Sequence, residues 1–471
     1  MPQLPTISKT FHLLVSVTNP KKEKKKMKAR YMVLSVFVLL AMVLASCAPA
    51  ATPAPTTAPA APAEPTATTA AAAPAEPTAT TAAAAPAEPT ATTAAAAADP
   101  CAGDAFGCAK IPAGQTVKIG MGAPMTGDNA QFGVDISQGA KIAVADAGDV
   151  QGFKFELVAE DDGGTPEGGA AVANKFVADP SIVAIAGHIF SGATAAAMPI
   201  YEKAGIPMMS PSATNPDLTK GGSKVFNRVA FTDSAQGKFA ADYIFNVLGK
   251  KNIAVMHDGQ AYGKGLADVV AARFKEIGGT VVDEVAITPG ETDYTAPLSS
   301  IAAKKPEVLY YGGYVQEAVV LVNQMGQSGL QGVPFFGCDG TYGADFISRG
   351  GKNAEGAYAV ALIPPASDAV KAFDEKYKAE FGKEAGSLSP YTWNAYDSAA
   401  ALVVAIKSVA VKGEDGSLLI PRSALVNAVR TIKDYQGLSG TITCESNGEC
   451  NSSGPIFYLV KDGAWTVAPT K

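Results

Sequence analysis

Two short stretches of this 471-residue chain have the makings of an anion site. Gly187-His188-Ile189-Phe190-Ser191-Gly192-Ala193-Thr194 follows an apolar run at 183–186 and opens a helical pattern. Ser191 therefore falls where the unpaired N–H groups and positive dipole end of a helix attract negative charge. Ser210-Pro211-Ser212-Ala213-Thr214-Asn215-Pro216 follows the next apolar run in the same way. Two adjacent hydroxyl-rich turns make a cradle of carboxylate size. Ser191 and Thr214 would serve equally well as helix caps, and spacing alone does not choose between the two roles.

Catalysis has little to work with. The three histidines are His12, His188 and His257, and no HExxH, GxSxG, GxxxxGK[ST] or GxGxxG motif occurs, so zinc, nucleophile-elbow, P-loop and dinucleotide chemistries lack their usual marks. Ser191 stands three residues after His188. A strand end and a helix start separate them, however, and a lone histidine is more often structural. The chain reads as a non-enzyme that needs no metal, nucleotide or other cofactor.

The elements that must position these turns follow from apolar periodicity. Short apolar runs at 117–121, 153–159, 182–186, 206–209, 253–256, 280–286 and 308–311 read as strands. Amphipathic stretches at 134–147, 167–178, 194–204, 235–248, 266–277 and 316–327 read as helices between them. Strands alternating with helices at this spacing imply an α/β fold with parallel sheets covered on both faces. Ligands of such sheets gather at the carboxyl ends of the strands.

Ahead of the folded part, a basic segment, a short apolar segment and Val43-Leu44-Ala45-Ser46-Cys47 have the layout of a secretory signal. A cysteine at the cut resembles the bacterial lipoprotein signal. Residues 1–46 are therefore expected to be removed, with translation starting at Met27, and Cys47 to be lipidated outside the cytoplasm, at the cell surface or in the periplasm. The apolar stretch 31–45 is shorter than the roughly 20 residues that cross a bilayer. Residues 1–46 hold eight Lys/Arg and one acid, so the whole-chain net of −6 leaves −13 for residues 47–471. An acidic mature chain argues against a nucleic-acid partner.

Residues 48–98 are almost entirely Ala, Pro and Thr, with a twelve-residue repeat that places Glu64, Glu76 and Glu88 in register. Lacking aromatics and large aliphatics, the repeat cannot offset its conformational entropy by burial. The expected linker spans 47–111 and acts as a semi-stiff tether. Beyond Cys47, the cysteines fall into two near pairs, Cys101 with Cys108 and Cys444 with Cys450, plus a solitary Cys338. Disulfides closing two small loops fit an oxidising compartment. Zinc is the rival reading, but neither pair has the two-residue spacing of a metal knuckle. Cys338 reads as a buried small residue.

Four stretches in order, 187–194, Met-Ser-Pro-Ser-Ala-Thr-Asn-Pro-Asp-Leu at 209–218, His-Asp-Gly-Gln-Ala-Tyr-Gly-Lys-Gly-Leu-Ala at 257–267 and Tyr-Tyr-Gly-Gly-Tyr at 310–314, resemble the branched-chain amino-acid-binding proteins of bacterial transporters. The likeness runs from about residue 117 to 467. It implies the type I periplasmic binding protein fold: two Rossmann-like lobes with parallel central sheets, joined by a three-crossover hinge. The expected lobes are 112–230 plus 360–438 and 231–359 plus 439–471, with crossovers near 228–232, 357–364 and 437–441. The resemblance also implies an amino-acid ligand, delivery to an ABC-type permease, a lipid anchor and a monomer. A sensory receptor, or a receptor for another amino acid, an amide or an aromatic acid, is the alternative.

By the same resemblance Ser191 and Thr214 bind the ligand's carboxylate, helped by N–H groups of the turn at Ser212 and Ala213. Tyr314 and Asp339 receive the ammonium. Asp339 stands where glutamate is usual, one methylene shorter. Phe132, Ile189, Phe190, Tyr262 and Tyr391 form the wall around the ligand's side chain. Many relatives carry cysteine where Phe190 stands, bridged to the loop after the second strand. Here that loop reads Asp161-Asp162-Gly163-Gly164-Thr165, so the bridge is absent and Phe190 narrows the pocket. A zwitterion taken out of water needs donors at one pole and a carboxylate at the other, which is what these residues offer.

Overall fold

A computed structural model describes residues 99–450 and 454–470. The calls at Met27, Cys47, the signal 1–46 and most of the linker lie outside the described residues.

Two sheets organise the fold. In the first, the strands run Asp149–Val150, Phe153–Asp161, Val117–Ala123, Ile182–Ile185, Met208–Ser210 and Phe226–Arg228. All neighbours are parallel except the short edge strand Asp149–Val150. The second sheet runs Ala464–Val467, Ile456–Lys461, Tyr358–Ala361, Phe335–Phe336, Val308–Gly312, Asn252–His257 and Thr280–Ala286, with an antiparallel pair at the Ala464 edge. The five parallel strands of each sheet share one order, second, first, third, fourth, fifth. That order places a switch point between the first and third strands, and the crevice beyond their carboxyl ends is where such sheets bind.

Burial explains why apolar runs marked these strands. Ile182–Ile185 and Val308–Gly312 are buried at every position, as expected of central parallel strands covered on both faces. The edge strand Thr280–Ala286 is partly or fully exposed at every position. Helix boundaries follow capping chemistry. Thr165 accepts from the Gly168 N–H and precedes Pro166 at the first position of its helix. Gly205 closes the Ser191–Ala204 helix with φ 63°, a conformation that suits glycine. The helices Ala130–Asp146 and Thr392–Val409 pack together on the first sheet, so the chain returns to the first lobe late in the sequence.

The boundaries differ from expectation at three places. The linker was expected to reach 111, but Cys108–Ile111 pairs with Leu418–Pro421, Cys101 is disulfide-bonded to Cys108, and Asp104 accepts from the Ser423 N–H and hydroxyl. The described part is thus folded from Cys101 onwards, where Phe106 and paired cysteines replace the bare repeat. The strand Tyr358–Ala361 stays whole in the second sheet, so a lobe boundary between 359 and 360 would cut a strand. Third, Ser439 and Glu449 are held by Asp397 and Arg228 of the first lobe. The chain joins the second sheet only at Ile456, later than the crossing expected at 437–441, because Cys444 is bonded to Cys450 in a loop fastened to the first lobe.

Candidate functional site

The carboxyl ends of both sheets face one small, nearly filled cavity of about 20 Å3. From the first lobe it is lined by Phe132 and Ile136 at the start of the Ala130–Asp146 helix, by Ile189, Phe190 and Ser191 after the third strand, by Ser212, and by Tyr391 just before Thr392–Val409. The second lobe supplies Tyr262, Tyr314, Asp339 and Gly340, each following the end of a strand.

Ser191 is the first residue of its helix. No side chain caps this helix start, so the hydroxyl is not a cap, and it accepts instead from the Asn215 N–H at 3.3 Å. The helix start and the Ser191 hydroxyl give this side of the cavity a positive, donor-bearing character without a charged side chain, while the Ser212 hydroxyl donates to the Ile189 carbonyl at 2.8 Å. Behind it, Ser210 donates to the His188 carbonyl at 2.6 Å and accepts from the Ala213 and Ser212 N–H groups at 2.9 and 3.3 Å. Those two amides, expected to face a ligand, are therefore turned towards Ser210. Ala213 and Thr214 do not line the cavity. Both are buried, and the Thr214 carbonyl accepts from the Asp233 N–H at 3.0 Å.

The acidic side is more tightly built. Asp339 is buried, and its Oδ1 accepts from Tyr262 Oη at 2.5 Å and Gln236 Nε2 at 2.6 Å. Its Oδ2 accepts from Tyr391 Oη at 2.6 Å. Burial pushes the Asp339 carboxyl up from the ordinary range while the bonds from Tyr262, Tyr391 and Gln236 pull it back. Asp233 lies nearby, also raised, by burial and by the charge of Asp339. Tyr262 and Tyr391, expected as plain walls, thus commit their hydroxyls to Asp339. Gln236 and Asp233 escaped the sequence reading, since the strand before them, Phe226–Arg228, is too short to show in the apolar pattern.

Aromatic rings fill the rest. Phe190 stacks on Tyr314 with centroids 4.3 Å apart, and Phe132 meets both rings edge-on at 6.0 Å. Where relatives bridge this loop, Phe190 lies against Gly164, at φ 69°, and a Cβ there would sit 2.7 Å from the ring. The rings, the Tyr391–Asp339 bond and bonds from Asn215 Nδ2 to the Ala261 carbonyl and from Gln316 Nε2 to the Asp128 carbonyl, both 2.5 Å, join the lobes across the cleft. The lobes are shut.

A Ser191–His188 hydrolytic pair is absent from this geometry. His188 Nδ1 lies 2.7 Å from Asp162 Oδ2 and Nε2 lies 2.9 Å from Tyr201 Oη, all three side chains buried. Both ring nitrogens are spent away from the cavity. Cys338 is buried with a free thiol. Its Sγ lies 3.3 Å from the Gly313 carbonyl, behind Asp339.

A family model of periplasmic binding proteins matches residues 116–464. The chain belongs to that family. It is a solute-binding protein rather than a catalyst. An "Amino acid binding protein" of Pseudomonas aeruginosa is 41% identical over 217 residues, an alignment covering 45% of this chain and 58% of that protein. A "Leu/Ile/Val-binding protein homolog 3" of Brucella melitensis is 31% identical over 353 residues, 73% of this chain and 91% of the relative. Among solved structures, a leucine-binding protein of Thermotoga maritima superimposes with a TM-score of 0.68 at 30% identity, over 75% of this chain and 98% of its own. Among the described residues no helix is long and apolar enough to cross a membrane.

Proposed function

We propose that this protein is the extracytoplasmic receptor of an ABC-type importer, capturing a branched-chain amino acid between its lobes and presenting the shut form to a membrane permease. One observation carries the reading: a single cavity joins an uncapped helix start with the Ser191 hydroxyl on one lobe to a buried carboxylate on the other. Ser191 and the helix start then receive the ligand's carboxylate, and Asp339 its ammonium, with Tyr314 beside it. Apolar rings and Ile136 and Ile189 cover the side chain. Relatives described as binding leucine, or leucine, isoleucine and valine, support the same class. Cys47 as a lipid anchor and a monomeric receptor complete the proposal.

A second reading, a receptor for an aromatic acid, draws on the ring cluster of Phe132, Phe190 and Tyr314. Calorimetric titration of the purified protein with the twenty amino acids and with benzoate separates the two. Submicromolar binding of leucine, isoleucine or valine is expected. Silence from all three, with heat from benzoate, would overturn the amino-acid reading.

A further inference from the structure

The loop closed by Cys444 and Cys450 lies outside the cavity, yet one of its side chains grips an arginine that holds the turn carrying Ser212. Glu449 accepts from Arg228 Nη2 at 2.6 Å and from Arg228 Nε at 2.8 Å, a two-pronged pair, and from the Thr219 hydroxyl at 2.8 Å. The backbones are stitched as well: Arg228 N–H donates to the Gly448 carbonyl and Cys450 N–H to the Arg228 carbonyl, at 3.0 and 2.9 Å. Arg228 is wholly buried. Its Nη1 donates to the Ala213 carbonyl at 2.9 Å and the Asn215 carbonyl at 2.7 Å. Asn215 in turn donates its N–H to Ser191 Oγ and its side-chain amide across the cleft to the Ala261 carbonyl.

We propose that Glu449 is a positioning residue for ligand capture: through Arg228 it fixes the turn at 210–215 and the cleft-spanning Asn215–Ala261 bond, and the Cys444–Cys450 disulfide holds Glu449 in place. This deepens the amino-acid reading and rests on it for the identity of the ligand. Without Glu449, Arg228 keeps its two carbonyls but loses its paired carboxylate, and a buried cation so stripped draws in water or shifts. The turn would then lose its fixed register against Ser191.

Leucine titrations of four proteins test this: the unaltered protein, Glu449→Gln, Cys444→Ser with Cys450→Ser, and the triple variant. Glu449→Gln is expected to weaken binding roughly tenfold, the scale of coupling within one hydrogen-bonded network. The triple variant should bind no more weakly than Glu449→Gln alone, because both changes act through one contact. Hydrogen exchange without ligand should show faster exchange of amides at 212–215 and unchanged exchange in Asn252–His257. A merely structural role would lower the melting temperature while leaving the affinity well below it, and the local exchange, unmoved. Unchanged affinity in Glu449→Gln overturns the proposal, and additive losses in the triple variant overturn the disulfide's part. If Glu449→Gln does not fold, the double cysteine variant decides by the same two readouts. If the unaltered protein gives no heat with leucine, isoleucine or valine, the ligand reading fails, and exchange at 212–215 still decides the strut.

Discussion

The two walls of the cavity solve opposite electrostatic problems by different means. The first lobe gathers neutral donors at a helix start that no side chain caps, so it can meet an anion without burying a cation of its own. The second lobe buries a carboxylate, Asp339, which is surrounded by three neutral donors, Tyr262 and Gln236 of the same lobe and Tyr391 from across the cleft. None of these is a cation, so the charge is solvated and left unneutralised, which is why burial raises its pKa. The lesson is an asymmetry of cost. The neutral wall is inexpensive to keep, whereas the acidic wall costs stability that an ammonium ligand would recover.

The contrast breaks first at Asp339. Asp339→Asn keeps the shape and removes the charge, and is expected to reduce amino-acid affinity at least about a hundredfold, the scale of losing one partner of a buried charge pair; calorimetry showing native affinity would reject the ammonium role. A middle effect comes from Tyr391→Phe. It deletes the one Asp339 bond that spans the cleft, and a loss of about tenfold is expected, within the range for a hydrogen bond to a charged group. Stopped-flow fluorescence should place that loss in faster release. Ser191→Ala should cost the least, roughly fivefold, since neighbouring donors at the helix start remain. A loss equal to that of Asp339→Asn would show that the two walls are not unequal after all.

Acid offers a further test. Burial pushes Asp135 and Asp397 up to about 6 and Asp258 up to about 7, against the hydrogen bonds that favour their charged forms. Each therefore binds a proton in the folded protein at a pH where the unfolded chain, with a value of about 3.9, has released it. Their destabilisation is fully present above about pH 7 and is relieved as pH falls towards 4. Burial lowers His257 and acts in the opposite sense, but one histidine opposes several acids. The melting temperature is expected to rise between pH 7 and pH 5. Ligand affinity should fall on acidification as Asp339, whose carboxyl burial raises, takes up its proton, and an affinity that rises together with the melting temperature would contradict the assignment.

Much of the scaffold was legible because fully buried parallel strands leave continuous apolar runs. The strand expected at 280–286 coincides with the one observed, and the helix expected at 194–204 begins three residues earlier, at Ser191. The short strands Phe335–Phe336 and Phe226–Arg228 left too few residues to show a period. Ser191 could be picked out because turns after strands carry site residues in α/β sheets, whereas Phe190, Tyr314 and Asp339 were marked only by resemblance to the binding-protein motifs. Gln236 and Ser210 could not, since their work is to bond other site groups, and such partnerships have no signature along the chain.

By itself the sequence determined most of the segments that are buried strands, where helices lie between them and which turns carry hydroxyls. Local rules suffice there, because periodicity, caps and turn residues act over a few positions. Only the tertiary structure decided that the Ala213 and Ser212 amides turn inward to Ser210, that two tyrosines from different lobes serve Asp339, and that Glu449 grips Arg228. Those pairings join residues as far apart as 221 positions. What selects them is burial, which forces each polar group to find a partner wherever the packed chain brings one within reach.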